Sequence, residues 1–314
     1  MFGTGQGSIH LFRIKGIDVY LNWTWFLVAL FEIQARKGRY SSIIWNVIEY
    51  LALFAIVLTH EFGHALACRS VGGTADKIML WPLGGVAYVN PPQRPGATLW
   101  SIAAGPLVNV VLAIPLALAF WTARSLDWRA SNPDGYRLIV AIQFTNIVLL
   151  VFNILPIYPL DGGQILRSLL WYPLGRARSL LVASSLGFFG VAGLIALALW
   201  TQSIWTGLIA AYAGMNCWSG FKTARALRNL EKIPRRAGFA CPSCRTAPPI
   251  GPIWRCNKCD TSFDTFETGG VCPQCSARFE KTTCLDCRQQ APVSEWQAGY
   301  VPGVGVMSGE ATTK

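Results

Sequence analysis

Long apolar segments constrain the fold of this chain more than any other feature of its sequence. A helix of roughly 20 residues crosses a bilayer, and six segments are apolar enough to enter one. They run over Ile17–Ile33, Ile43–Cys68, Thr98–Trp121, Leu138–Leu155, Leu180–Trp200 and Ile204–Trp218. Charged residues make up 14% of the chain, against roughly 25% in soluble proteins. The sequence therefore predicts an all-α polytopic membrane protein with about six transmembrane segments.

The distribution of charge divides the chain into an apolar body and a polar tail. We expect residues 1–16 to form an N-terminal segment and residues 17–220 a membrane domain. A basic linker beside the membrane is expected over 221–240, followed by a cysteine-rich domain over 241–287. The remaining residues, 288–314, are small and polar towards their end and are predicted to be disordered.

Basic residues predict the orientation in the membrane. The net charge is +11, and anchoring of a membrane protein on the cytoplasmic side explains it better than nucleic-acid binding does. With both termini in the cytoplasm, the inner segments hold fourteen Lys and Arg residues and the outer loops hold six. We therefore expect a cell-membrane protein whose N-terminus and tail are cytoplasmic, although Arg36, Lys37 and Arg39 lie on the outer side.

The segment Lys77–Asn90 is apolar but too short to span a bilayer, and Pro82 and Gly84–Gly85 interrupt it. We expect a short membrane-embedded hairpin, whose backbone polar groups protein or a wet cavity must satisfy. An ordinary surface hairpin is the alternative.

The sequence His60-Glu61-Phe62-Gly63-His64 is an HExxH motif. Positions i and i+4 share one face of a helix, so the two imidazoles can bind one zinc ion, and Glu61 can reach a water on that metal. The motif ends an apolar run, and ionisable residues at membrane depth are costly and usually functional. The alternative is a pair of histidines that form hydrogen bonds at a wet helix end.

A catalytic zinc site needs a third protein ligand, and Asp161 is the best acidic candidate. It is the one acidic residue between Gly135 and the tail. Pro156 and Pro159 prevent a regular helix before it, and two glycines follow it. The alternative role for Asp161 is to cap a helix over Gln164–Trp171.

Four motifs in a fixed order give the chain a family resemblance. They are HEFGH, PLGGVA at Pro82–Ala87, AAGPLVN at Ala103–Asn109 and NILPIYPLDGG at Asn153–Gly163. This order resembles the site-2 protease family of intramembrane zinc metalloproteases, in its bacterial sporulation-type branch. The resemblance covers about residues 8–220.

The resemblance implies specific roles for residues of this chain. His60, His64 and Asp161 are expected to bind a catalytic zinc ion, with Glu61 as the general base. Asn109 and Asn153 are expected to lie near the active site and to position substrate, and Gly84 and Gly85 to lie beside the cleft. The implied reaction is peptide-bond hydrolysis in membrane-protein substrates whose helices unwind locally.

Eight of the ten cysteines form four CxxC pairs in the tail. The pairs are Cys241/Cys244, Cys256/Cys259, Cys272/Cys275 and Cys284/Cys287. Two such pairs supply the four thiolates of a tetrahedral zinc site, so we expect two structural zinc ions in a double zinc-ribbon-like module. Pairing of neighbouring CxxC units in sequence is favoured, and an interleaved pairing of first with third and second with fourth is the alternative.

The expected role of this module is to bind a protein partner or to capture substrate. Nucleic acid is the less favoured ligand, because few aromatic residues and no dense basic patch lie within the module. Three other functions for the whole chain remain open. They are a non-catalytic membrane scaffold that recruits partners through its tail, a metalloprotease with a glutamate as third ligand, and a membrane-tethered nucleic-acid binder.

Overall fold

The computed structural model describes residues 7–36, 38–81, 84–287 and 289–297. The chain divides into a membrane unit, Met1–Arg225, and a tail unit, Ala226–Lys314. Pro82 of the expected hairpin lies outside the described residues. So does most of the expected disordered segment, residues 298–314.

Helices account for most of the membrane unit. They are α1 Thr24–Ala35, α2 Ile43–Ser70, α3 Pro95–Ser125, α4 Trp128–Ser131, α5 Pro133–Ile154, α6 Asp161–Thr201 and α7 Ile204–Glu231. Within the described residues, α2, α3, α5 and α6 are long and apolar enough to cross a membrane. This confirms the predicted polytopic helical architecture, with four such helices in place of six.

The first and last expected spans account for the difference in number. Residues Ile17–Asn22 form a strand whose side chains alternate in burial, and α1 has only 12 residues. At the other end, α7 continues to Glu231 through a basic stretch and is not among the membrane-crossing helices. Mean hydropathy cannot distinguish a buried strand from a membrane helix, because it ignores the period of the apolar residues.

Helix α6 has 41 residues and is interrupted near its first third. Pro173 lies inside it, and Gly175 has φ 77° and ψ 174°, so two helices join there. Proline removes a backbone donor and bends the helix axis. The expected span Leu180–Trp200 is the second of these two helices.

A four-stranded sheet adjoins the helices in the order β1-β2-β3-β4, which the sequence did not predict beyond its hairpin. The strands are β1 Ser8–Ile14, β2 Ile17–Asn22, β3 Thr74–Trp81 and β4 Gly84–Asn90. Strands β3 and β4 form the expected hairpin, and β2 pairs with β3 in parallel. The buried face of β2 and β3 packs with Val57 and Ala65 of α2 in one core. This packing fixes β4 beside the second half of α2.

Small residues allow α2 and α3 to approach closely. A Cβ atom added at Gly63 would lie 2.8 Å from the Ala104 carbonyl oxygen. Small residues at helix contacts are typical of membrane bundles, where van der Waals packing drives association. The close approach brings the second half of α2 against the first half of α3.

Among its described residues, the tail unit contains two short hairpins followed by a 3₁₀ turn. Its strands are β5 Trp254–Arg255, β6 Ser262–Phe263, β7 Lys281–Thr283 and β8 Gln290–Pro292, and the turn is Val293–Trp296. Trp296 is 1% exposed and packs with Cys241, Cys284 and Phe266. The expected domain end at residue 287 is therefore corrected, because the described residues 289–297 belong to this folded unit and are not disordered.

The basic linker expected over 221–240 is also corrected. Its first part belongs to α7, and its last arginines belong to the tail unit. Arg235 binds Asp286 at 2.7 Å, and Arg236 binds the buried Asp264 at 2.6 Å. Asp264 also accepts hydrogen bonds from the backbone N–H groups of Gly251, Phe266 and Glu267.

Asp264→Ala is expected to destabilise the tail unit by about 3–5 kcal/mol, because it leaves Arg236 and three backbone donors without their buried acceptor. The matched control is Glu267→Ala, which removes an exposed carboxylate three residues away. Trypsin cleavage of the tail in the full chain, followed in increasing urea, measures the change. Equal urea midpoints for the two variants would contradict this role of Asp264.

Candidate metal centre

The HExxH motif lies on the buried face of α2, a helix long and apolar enough to cross a membrane. His60, Glu61 and His64 are 4%, 6% and 5% exposed. Helical geometry places the two histidines one turn apart on one face, and their rings meet edge to face with centroids 4.8 Å apart. The spacing expected from the sequence is therefore realised.

Asp161 joins the two histidines from a distant part of the chain. Its Oδ2 lies 3.1 Å from His60 Nε2 and 3.2 Å from His64 Nε2, and the two Nε2 atoms are 3.1 Å apart. Tetrahedral zinc with ligands at about 2.0–2.1 Å separates its ligand atoms by about 3.3 Å. These three atoms therefore fit one metal ion.

Two glycines bring Asp161 to this position. A Cβ atom at Gly162 would lie 2.2 Å from the Ile154 carbonyl oxygen, and one at Gly163 would lie 2.3 Å from the Tyr158 nitrogen. The chain therefore folds back tightly between α5 and α6. Helix α6 begins at Asp161, and the Asp161 carboxylate faces the two histidines. The N-cap position itself is held by Leu160, so the geometry favours the ligand role of Asp161 over capping.

The other ring nitrogen of each histidine has an acceptor. His60 Nδ1 lies 2.6 Å from Asn109 Oδ1, and His64 Nδ1 lies 2.9 Å from the Ser101 carbonyl oxygen. An acceptor at Nδ1 holds the proton there and leaves the lone pair of Nε2 free for a metal. Both imidazoles are thus held in the form that binds zinc.

Asn109 lies beside the candidate metal ligands, and its expected role in positioning substrate stays a prediction. It is 0% exposed, its Oδ1 faces His60, and its Nδ2 donates to Asn146 Oδ1 at 2.8 Å. The side chain of Asn109 therefore contacts a candidate metal ligand on one side and Asn146 on the other. Asn153 is half-buried and, within the described part of the chain, forms no hydrogen bond with His60, His64 or Asp161.

Strand β4 contacts the expected base. The backbone N–H of Ala87 donates to Glu61 Oε2 at 2.8 Å. A Cβ atom at Gly85 would lie 2.5 Å from Glu61 Oε1, whereas one at Gly84, which has a positive φ, would meet nothing within 4 Å. Gly85 therefore leaves space for the carboxylate, and the hairpin lies beside Glu61.

Gly105 and Ser101 complete the site from α3, and sequence reasoning did not single them out. A Cβ atom at Gly105 would lie 2.3 Å from His64 Nε2 and 2.8 Å from His60 Nε2. Gly105 is part of the AAGPLVN motif, so the motif could have pointed to it. The reason that a glycine is needed there is that the imidazoles occupy the space of a side chain, which becomes visible only when α2 packs against α3.

A family model and several known proteins match this part of the chain. The model of peptidase family M50 matches residues 48–125 and 128–197. This region of the membrane unit belongs to peptidase family M50. The match covers the HExxH helix, the hairpin and Asp161, and it ends before the cysteine-rich tail.

Named relatives agree with the M50 assignment. A zinc metalloprotease of Methanocaldococcus jannaschii is 35% identical over 57% of this chain and 50% of its own length. Stage IV sporulation protein FB of Bacillus subtilis is 32% identical over 44% of this chain and 46% of its own length. The chain thus spans about half the length of these curated relatives. The solved structure of the site-2 protease from Methanocaldococcus jannaschii covers 68% of this chain and 95% of that one, with 27% identity and a TM-score of 0.47.

Outside the M50 region, the eight tail cysteines form two groups of four. The first and last CxxC units share one group, Cys241, Cys244, Cys284 and Cys287. The two middle units share the other, Cys256, Cys259, Cys272 and Cys275. The favoured sequential pairing and the interleaved alternative are both wrong, because one site is nested inside the other.

The sulfur geometry of both groups suits zinc. Sulfur–sulfur distances across the paired units are 3.6 and 3.8 Å in the outer group and 3.5 and 3.6 Å in the inner group. Tetrahedral Zn–S bonds of about 2.3 Å imply a spacing of about 3.8 Å. The residue after each of the first three CxxC units, Arg245, Asp260 or Ser276, has a positive φ near 57–59°. Three of the four units therefore share one turn.

The surroundings of individual thiols differ. A hydrogen bond with the Thr261 hydroxyl, at 3.3 Å, lowers the pKa of Cys259 to about 6. Burial raises the pKa of Cys284 above its ordinary value. Thiolate is the form that binds metal, and a bound dication favours loss of the remaining protons.

Gly105→Ala is expected to abolish metal binding at the membrane centre, because the added methyl group occupies the space of both Nε2 atoms. The control is Gly193→Ala on α6, where an added Cβ meets nothing within 4 Å. Zinc per purified full chain, measured by atomic absorption, should fall by one ion in the first variant alone. Equal zinc content in both variants would count against this packing argument.

Proposed function

We propose that this chain is an intramembrane zinc metalloprotease that hydrolyses peptide bonds of membrane proteins within or near the bilayer. The observation that carries the proposal is the 3.1–3.2 Å triangle of His60 Nε2, His64 Nε2 and Asp161 Oδ2, with Glu61 beside it. The triangle lies on helices that are apolar enough to span a membrane. The relatives named as zinc metalloproteases support the same activity.

His60, His64 and Asp161 are the proposed protein ligands of the catalytic ion. Three protein ligands with an open fourth position are typical of catalytic zinc, whereas structural zinc has four. Zinc bound there supplies a water of lowered pKa and a Lewis acid for the scissile carbonyl. The acceptors at both Nδ1 atoms hold the imidazoles in place while the reaction proceeds.

Glu61 is the proposed general base. Its carboxylate follows His60 in the helix, and the Ala87 N–H fixes one of its oxygens at 2.8 Å. In the proposed reaction, Glu61 takes a proton from the attacking water and returns it to the leaving amine. The peptide C–N bond breaks as the new C–O bond forms, so no further reactant is required.

Substrate is proposed to lie along β4, near Gly84 and Gly85, with Asn153 as a further contact. Strand β4 is at the end of the sheet order, so its outer side has no strand partner among the described residues. A membrane helix hides its carbonyl groups in backbone hydrogen bonds. A substrate must therefore unwind locally before a peptide carbonyl can reach the centre.

The tail is proposed to hold two structural zinc ions in its nested cysteine groups, which gives one catalytic and two structural ions per chain. A module of this size forms little apolar core, so metal would supply most of its folding free energy. A protein partner is its proposed ligand, and nucleic acid is not. We also propose that the N-terminus and the tail are cytoplasmic, on the basis of the excess of basic residues on that side.

Glu61→Gln is expected to lower cleavage of a model membrane substrate by about 10²–10⁴-fold while zinc content stays at three ions per chain, because it removes the base and keeps the ligands. The double variant His60→Ala/Asp161→Ala should retain two ions. Glu32→Gln, which changes a partly exposed carboxylate on α1, is the control and should cleave normally. Full cleavage by Glu61→Gln, or unchanged zinc in the double variant, would favour the non-catalytic scaffold.

Stiffening the substrate helix is expected to slow cleavage. Leucine and alanine placed near the cut raise helix propensity and oppose the local unwinding that the site requires. The same residues placed at the far end of the helix serve as the control. Equal initial rates for the two substrates, measured in proteoliposomes, would show that unwinding is not required.

A further inference from the structure

Asn146 is a fully buried polar residue on α5 for which neither the motifs nor the proposed chemistry gives a role. It is 0% exposed and lies in an apolar helix that is long enough to cross the membrane. Polar side chains in such positions are costly unless they are fully hydrogen-bonded. Its two hydrogen bonds both reach Asn109, on α3.

These two bonds determine which way each amide faces. Asn146 contacts the main-chain carbonyl oxygen of Asn109 at 2.9 Å. A carbonyl oxygen only accepts, so the contacting atom must be Asn146 Nδ2. Asn146 Oδ1 then faces the Asn109 side chain at 2.8 Å. Since that oxygen only accepts, its partner must be Asn109 Nδ2.

The orientation of Asn109 in turn determines the tautomer of His60. With Nδ2 directed to Asn146, Asn109 presents Oδ1 to His60 Nδ1 at 2.6 Å. An acceptor there requires the proton on Nδ1, which leaves Nε2 free to bind metal. A half-turn of the Asn109 amide would present a donor to Nδ1 and move the ring proton to Nε2, where it would block the ligand position.

We propose that Asn146 is a positioning residue that holds His60 in its metal-binding tautomer by fixing the Asn109 amide. This inference rests on the proposed function, because it assumes that His60 is a zinc ligand. Changes in such outer hydrogen bonds typically weaken metal affinity by about 10–100-fold. Asn146→Ala should therefore weaken zinc binding at the membrane centre at least 10-fold.

The experiment measures the loss of the third zinc ion from the full chain across chelator-buffered free zinc concentrations. Thr145→Ala, a change of the adjacent α5 residue, is the control and should behave as wild type. Asn146→Leu is a second test variant that restores side-chain volume in an apolar helix. Excess zinc should restore cleavage in both Asn146 variants, since the defect is one of affinity and not of folding.

A double-mutant cycle tests whether the effect passes through Asn109. In Asn109→Asp, both side-chain oxygens accept hydrogen bonds, so no amide orientation needs to be fixed. Asn146→Ala added to that background should change zinc affinity less than 2-fold. An equal loss in both backgrounds, or unchanged affinity in Asn146→Ala alone, would overturn the proposal.

The outcomes separate this inference from the proposed function. If wild type binds three zinc ions and cleaves while Asn146→Ala matches it in affinity, only the positioning role fails. If wild type binds just two ions and Glu61→Gln cleaves normally, the proposed function fails and the inference fails with it.

Discussion

The fold of the membrane unit depends on the burial of three candidate metal ligands, two imidazoles and one carboxylate, beside one another. His60, His64 and Asp161 bring their ligand atoms within 3.2 Å of one another between helices that are apolar enough to cross a membrane. Such groups are costly to bury unless a metal ion and hydrogen bonds compensate them. Asn109 and Ser101 supply those bonds to the two imidazoles. The HExxH motif on α2 therefore requires hydrogen-bond acceptors at matching positions on α3.

Close backbone approach is the second constraint, and it follows from the first. Ligands on α2 and α6 can converge only where neighbouring elements leave room for them. Gly63 and Gly105 provide that room between α2 and α3, and Gly85 provides it between β4 and Glu61. Gly162 allows the tight return that brings Asp161 into place. The glycines of the family motifs are thus explained as much by the lack of room for a side chain as by backbone flexibility.

The tail follows a different physical principle. It forms one small cluster around Phe266 and Trp296 and another around Phe263, and its cysteines line both clusters. The outer cysteine group brings together Cys241 and Cys287, which lie more than 40 residues apart in the sequence. Metal binding at the outer group would therefore close a long loop in the folded unit, and its binding free energy would offset the conformational entropy that this closure costs. The ion pair between the partly buried Arg236 and the buried Asp264 adds a second long-range connection.

Local spacing in the sequence determined the parts of this protein that need no distant partner. It placed His60 and His64 on one helical face, and it predicted the β3–β4 hairpin and the CxxC units, because covalent geometry sets these distances. Only the tertiary structure decided which CxxC units pair, that β1 and β2 extend the sheet, and that Asn109 Oδ1 lies beside His60 Nδ1. Those outcomes depend on packing between segments far apart in the chain, and a single sequence carries no record of such contacts.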